Sequence, residues 1–306
     1  MTRPPSDFAS ERPTRRGFTL VEVTIALVIL GIIGVAATKL LMMQSRFYDK
    51  QTNLRTARSI ARSSMNIMLS DLRMVQDSLG VDSASADGKT LRVIVPYRFG
   101  LVCSAGLLTT TVSMLPADSA TVAQSTYGGY AWRDTSTGLY HFATSNAPAA
   151  ASNPATCTGN SGGQAQIRTV SMNGRSGAAY DLSSLVAVVG AAPPVGTPVF
   201  FYSKITYSFK LSSVPNYQSK GLYGLYRSVQ GGTSEELLAP FDTSARFRYY
   251  IPGDDTSRTV VPSTANIRGV DLVLNSLSPK ATSEKNGTYS PSYMTTSVFF
   301  KNTRTF

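Results

Sequence analysis

The sequence predicts an α+β fold: a long N-terminal helix, membrane-spanning in its first half, packed on a C-terminal antiparallel β-sheet domain. Three observations carry this. Residues 18–38 form a nearly unbroken apolar run. Apolar residues then recur every seven positions, at Leu40, Phe47, Leu54, Ala61, Met68 and Val75. After Gly80 the pattern changes to period two, with turn residues between the runs.

The apolar run FTLVEVTIALVILGIIGVAAT has 21 residues, bounded by Arg15 and Arg16 before it and Lys39 after it. As a helix it spans about 30 Å, the thickness of a bilayer's hydrocarbon layer. The preceding arginines favour a cytoplasmic N-terminus, with everything after Lys39 outside. Glu22 lies near the start of this run, where an unpaired charge in lipid costs a few kcal/mol. A simple anchor has no use for such a charge unless a partner arrives later. A secretory signal would instead end in a small-residue cleavage site after a shorter apolar core.

The segment Arg15-Arg16-Gly17-Phe18-Thr19-Leu20-Val21-Glu22 resembles the prepilin cleavage and methylation motif of type IV pilins and type II secretion pseudopilins. The resemblance implies cleavage between Gly17 and Phe18 by a prepilin peptidase and N-methylation of Phe18. It also implies that Glu22, at the fifth mature position, pairs with the N-terminal amine of a neighbouring subunit. Such a pair offsets two desolvation costs and sets subunit register. The implied partners are the peptidase, other pilins or pseudopilins of the filament, and an inner-membrane assembly platform. The implied location is the inner membrane as a single-pass precursor, then a periplasmic or cell-surface filament.

Beyond Lys39 the seven-residue spacing, joined by Met65, Leu72 and Leu79, forms an apolar stripe on one helical face. No proline interrupts it, and Gly80 stands where a terminator is expected, so the helix is predicted to run from about Phe18 to Leu79. A coiled coil would use the same stripe. Flanking charges of mostly one sign favour packing on the chain's own β domain. Gly31 and Gly34 either weaken the helix or allow close helix–helix approach. The segment from Ser64 to Met74, with its Asp71-Leu72-Arg73 step, resembles the end of the first helix in PilW-like minor pilins and J-type minor pseudopilins. Leu222 to Arg227, Glu236 to Ala239, Phe247 to Tyr250 and Ile267 to Leu274 follow an order similar to those families. Residues 100–198, rich in Ala, Ser, Thr and Gly, carry no such resemblance.

The expected organisation is a leader at 1–17, a transmembrane helix at 18–38, its amphipathic continuation at 39–80 and an extracytoplasmic β-rich domain at 81–306. Strands are expected at 91–95, ended by Pro96, then at 204–211, 222–229, 246–251, 267–275 and 293–301. A hairpin is expected with 129–133 and 138–143 flanking Asp134 to Thr137.

The chain of 306 residues is long enough for one large domain or two smaller ones. At 42% apolar and 15% charged residues it is too apolar for a disordered chain and too weakly charged for a typical cytosolic enzyme. Its net charge of +11 falls to about +9 without the leader, and no run of five Lys or Arg occurs. Cys103 and Cys157 fit one disulfide in an exported domain, or two unpaired thiols. With the single His141 they cannot compose an ordinary zinc site, and no cofactor is implied. No catalytic constellation is visible: His141 lies between Tyr140 and Phe142 in a strand-like run, and Asp254-Asp255 reads as a turn rather than a calcium loop.

Two functions follow. The first is a minor pilin or pseudopilin, priming or tipping a type IV pilus or type II secretion pseudopilus. The second is a membrane-anchored binding module for adhesion or DNA uptake, suggested by Arg227, Arg246, Arg248, Tyr249 and Tyr250.

Overall fold

The computed structural model describes residues 17–76, 79–105, 109–114, 118, 126–144, 149–150, 179–183, 193–230, 232–260, 263–281 and 287–300. The chain divides into two compact units, Met1–Gln51 and Thr52–Phe306, and the division falls inside one helix.

That helix, α1 (Leu20–Leu72), has 53 residues and is about 80 Å long at 1.5 Å per residue. Within the second unit it buries Ala57, Ile60, Ala61, Ser64, Met68 and Leu72. Their spacing of three and four places them on one face. The stripe expected from the sequence is therefore present from Ala57 onward, whereas Leu40 and Phe47 are 57% and 60% exposed. The predicted end of the helix is corrected, because α1 stops at Leu72 rather than Leu79. Backbone bonds from Met74 N to Asp71 O (3.0 Å) and Val75 N to Leu72 O (3.3 Å) tighten the last turn. Val75 is buried, and Leu79 takes φ 74° just before the chain enters its first strand. Leu79 itself is exposed. The chain must reverse at this point to place Val81 in the same core, so apolar spacing outlasts helical geometry.

Thirteen strands follow among the described residues: β1 (Val81–Ala84), β2 (Thr90–Ala105), β3 (Thr109–Ser113), β4 (Gly129–Arg133), β5 (Tyr140–Ala143), β6 (Ala149–Ala150), β7 (Ala179–Ser183), β8 (Pro198–Leu211), β9 (Tyr223–Val229), β10 (Glu235–Phe241), β11 (Arg246–Tyr250), β12 (Gly269–Ala281) and β13 (Tyr289–Phe299). A one-turn helix, α2 (Pro215–Gln218), joins β8 to β9. The strands form one sheet along the path β11-β12-β10-β9-β8-β2-β3-β7-β6. Strand β1 is added to β2, β13 to β12, β4 to β8, and β5 to β4. Every pairing is antiparallel. The α+β architecture expected from the sequence is the one observed.

The spine is the β2–β8 pair, in register from Thr90↔Ser208 to Leu101↔Pro198. Pro96 does not end the strand, as its sequence position suggested, but lies inside β2 opposite Tyr202. The register shifts between Pro96 and Arg98, so a bulge at Tyr97 absorbs the ladder bond that proline cannot donate. Strand β8 alternates except at Phe201–Ser203, where three successive residues are buried and Tyr202 packs with Ile94 and Ala131 on the opposite face. Ile205, Tyr207 and Phe209 face one core with Leu91 and Val93, while Val199 and Phe201 face a second with Val102, Tyr130 and Trp132. Both cores lie on one face of β8, at opposite ends. The first takes the helix, and the second is built by the segment returning between β2 and β8. Beside the second core Gly100 is required by contact, since a Cβ there would stand 2.4 Å from Val112 Cγ1 and 2.8 Å from Ser113 O. The predicted hairpin is present as β4 and β5, paired from Tyr130↔Ala143 to Arg133↔Tyr140.

Two polar devices tie elements together. Asp71, in the last turn of α1, accepts a hydrogen bond from Tyr207 Oη (2.5 Å) on β8 and from Arg227 Nη2 (3.1 Å) on β9. A carboxylate at a helix C-terminus is disfavoured by the helix dipole, and the guanidinium offsets it. Burial, reinforced by Asp71, pushes the Tyr207 hydroxyl well above the usual tyrosine range. Asp82 on β1 pairs with Lys204 Nζ (2.9 Å) and with Arg92, joining β1, β2 and β8. Burial acts to raise the Asp82 carboxyl, and its bonds to Lys204 and Arg92 outweigh this, so it lies below the usual carboxylate range.

Replacing Asp71 with Ala leaves the buried Tyr207 hydroxyl without its acceptor and Arg227 without its carboxylate. We expect a loss of about 2 kcal/mol, seen as a fall of roughly 4–8 °C in the thermal midpoint followed by circular dichroism. For Asp82 the depressed folded-state pKa means that its contribution is present above about pH 4 and disappears as pH falls further. The stability gap between the natural chain and Asp82→Asn is therefore expected to close in thermal unfolding below about pH 4. A gap independent of pH would refute the assignment.

Candidate functional site

The site is the first turn of α1 and the apolar helix behind it. Thr19 Oγ1 accepts from the Glu22 amide (3.3 Å), and Thr19 O accepts from the Glu22 and Val23 amides (3.1 and 3.2 Å). Thr19 is thus the N-cap of α1, and Thr19-x-x-Glu22 has the spacing of a capping box. The same four residues explain why the helix starts at Leu20. They also place the Glu22 carboxylate in the first turn, beside the positive end of the helix dipole. This local logic is encoded in the Thr-to-Glu spacing of the sequence.

The rest of the segment satisfies its own polar groups. The Thr24 hydroxyl donates to Val21 O and the Thr38 hydroxyl to Gly34 O, both at 2.8 Å. Backbone groups are used inside the helix, as an apolar surrounding requires. An 18-residue window of α1 has a mean hydropathy of 2.6, and none of it is buried. Phe18 and Leu20 are each 82% exposed. Glu22 is the one ionisable side chain between Phe18 and Thr38, and its carboxylate has no hydrogen-bond or ion-pair partner among the described residues. Glu22 is therefore an exposed, unpaired acid in an otherwise apolar helix.

Gly17 is exposed, and a Cβ at this position would meet nothing within 4 Å. The folded chain therefore places no demand for glycine there. Gly31 and Gly34 are equally open. Arg15 and Arg16 lie outside the described residues, as does the remainder of the expected leader.

Of the two cysteines, Cys103 is on β2 and 9% exposed, and Cys157 lies outside the described residues. His141 is a residue of β5, its ring 4.8 Å from that of Trp132 and its Nε2 3.6 Å from Asp134. Asp254 and Asp255 do not turn toward a common point. Asp254 accepts from Thr256 and pairs with Arg258, while Asp255 pairs with Arg268 at 3.3 Å.

The residues considered for nucleic-acid contact separate. Arg227 is committed to Asp71, and Tyr249 is fully buried in the main core. Arg246 and Arg248 are exposed. Alternation along β11 decides this, because Phe247 and Tyr249 point into the core and their neighbours point out.

Against known protein families, residues 12–38 match the prokaryotic N-terminal methylation motif. No curated protein and no solved structure matches the chain. The motif lies at the head of a helix long and apolar enough to cross a membrane, and it indicates an N-terminus like that of type IV pilin precursors, the kind processed by prepilin peptidase. It points to a structural subunit that joins other pilins.

Removing the cap tests the local account. Thr19→Ala is expected to cost the first turn about 1 kcal/mol, which is about a five-fold faster hydrogen exchange at the Glu22 amide in detergent micelles. Unchanged exchange would show that Thr19 does not hold this turn.

Proposed function

We propose that this pilin-like chain is a minor pilin or pseudopilin, a subunit that primes or tips a type IV pilus or a type II secretion pseudopilus. The observation that carries the reading is Glu22, an unpartnered acid in the first turn of an exposed apolar helix. In the reading, prepilin peptidase cuts between Gly17 and Phe18 and the new Phe18 amine is methylated. The amine of one subunit then meets Glu22 of the next, so that two charges leave water together. The open environment of Gly17 supports a glycine kept for an enzyme's cleft rather than for the fold.

The proposed division is a cytoplasmic leader at 1–17, a membrane segment at 18–38, an amphipathic segment at 39–80 and an exported domain at 81–306. The precursor sits once through the inner membrane with its N-terminus in the cytoplasm. It then passes through the assembly platform into a periplasmic or surface filament. The minor role and the PilW-like or J-type kinship are supported by the Asp71-Leu72-Arg73 step, whose carboxylate locks helix to sheet. A large exported domain with a second core between β2 and β8 supports the same reading. A Cys103–Cys157 disulfide belongs to it: no described cysteine is free, and the chain holds two.

Mass spectrometry of the mature chain should find N-methylated Phe18 at its start, and any other terminus refutes the cleavage site. Glu22→Ala should still be processed but should be lost from sheared filaments. Incorporation at the natural level would remove Glu22 from assembly.

A further inference from the structure

The C-terminal three strands have one face in the main core; on the other, β11 and β13 carry exposed residues while Asp271 and Asn275 of β12 between them are buried. Phe247, Tyr249, Val270, Leu272, Leu274 and Val298 fill the inner face. The register orders the outer face in rows. Tyr250, Gly269 and Phe299 form one end, followed by Arg248, Asp271 and Ser297, then Arg246, Val273 and Thr295, then Asn275 and Tyr293. Tyr293 is 74% exposed and Phe299 54%. Phe299 lies 4.9 Å from the Tyr250 ring, and the Arg268 guanidinium stands 5.9 Å from its centroid. A cleft of about 790 Å³ opens beside β11, lined by Ser244, Arg246, Arg248, Arg258, Val273 and Asn275 among others.

We propose that this outer face of β11, β12 and β13 binds single-stranded nucleic acid, with Arg246 and Arg248 on phosphates and Tyr293 and Phe299 stacking on bases. The inference is independent of which filament the chain enters.

Charge selects an anion. Arg246 donates to Ser244 O (3.0 Å) and Arg248 to Ser257 O, and neither faces a carboxylate at ion-pair distance among the described residues. Each keeps further N–H donors free. The acids nearby are already engaged. Asp271 is 5% exposed and accepts from Ser257 and Ser297, Asp254 pairs with Arg258, and Asp255 with Arg268. Lys89 adds to the positive field at this end of the sheet. Its ammonium donates to Thr243 O and Ala245 O, and burial, then the Arg246 charge, holds its pKa below the usual lysine range.

The aromatic rings select the polymer. Phe299 and Tyr293 are six residues apart on one strand face, roughly 20 Å. Exposed aromatics on β13 with arginines two strands away on β11 suit unpaired bases, each of which offers a π-face. A duplex would offer phosphates to the arginines but keep its bases stacked inside, and an acidic peptide would leave the rings unused.

The test uses the full-length chain in detergent micelles and fluorescence anisotropy of a labelled thymidine 20-mer. The same 20-mer in a duplex and polyglutamate serve as competitors. The single strand should bind, with log affinity falling linearly in log salt. Replacing both Arg246→Gln and Arg248→Gln should reduce that slope by about 1.4. Tyr293→Ala, at a side chain almost clear of the core, should weaken binding about ten-fold with the slope unchanged. Circular dichroism confirms that each variant is folded. No binding of the 20-mer overturns the proposal, as does equal competition by duplex or polyglutamate. So does natural affinity in a folded Tyr293→Ala.

Discussion

One helix serves two surroundings, and the rest of the structure depends on how it does so. From Phe18 to Lys50 its side chains are exposed, including a membrane-length apolar run. From Ala57 to Leu72 one face is buried against a sheet. A continuous helix cannot change its backbone between these regimes, so side-chain size makes the change. Ala57, Ala61 and Ser64 are small enough to bring the helix close to the sheet, close enough for Ser276 Oγ to donate to Ala57 O at 2.7 Å. Met68 and Leu72 then fill the space beyond, both fully buried. Truncating either to Ala carries the usual cost of a core cavity, about 2–5 kcal/mol.

Because packing is non-directional, this seam needs a polar contact to fix its register. The Asp71 carboxylate supplies it by meeting Tyr207 and Arg227 from two adjacent strands. The same contact marks where the helix ends. Past Asp71 and Leu72 the chain turns to send Val75 and Val81 into the core. The remaining fold extends from the two strands that receive the helix. Strand β8 carries the clamp tyrosine and runs on past the β2 bulge next to Pro96 to hold the second core.

Much of the candidate site was legible in the chain, because its chemistry is local. Gly17, Phe18 and Glu22 lie within six positions, and the Thr19 cap that places Glu22 lies among them. The β strands with clean alternation were legible too. At 204–211, Ile205, Tyr207 and Phe209 are inward as expected, while Leu211 is 44% exposed at the strand's end. The two-residue β6 carried too few positions to establish a period. Pro96 misled for a physical reason: proline ends a regular ladder, but a bulge next to it accommodates the missing donor.

What the sequence alone determined is whatever neighbours along the chain decide: the membrane-length helix, its cap, its lone acid, and the change to strands after Gly80. What only the tertiary structure decided is whatever distant residues decide together. Asp71 finds Tyr207 across 136 positions and Arg227 across 156, and no local pattern encodes such pairings. The same holds for the arginines once grouped as surface candidates. Arg227 turned inward to a carboxylate, while Arg246 and Arg248 stayed outward beside Tyr250. Sequence periodicity says which residues share a face. Only the packed sheet says which face receives the helix and which is left to solvent.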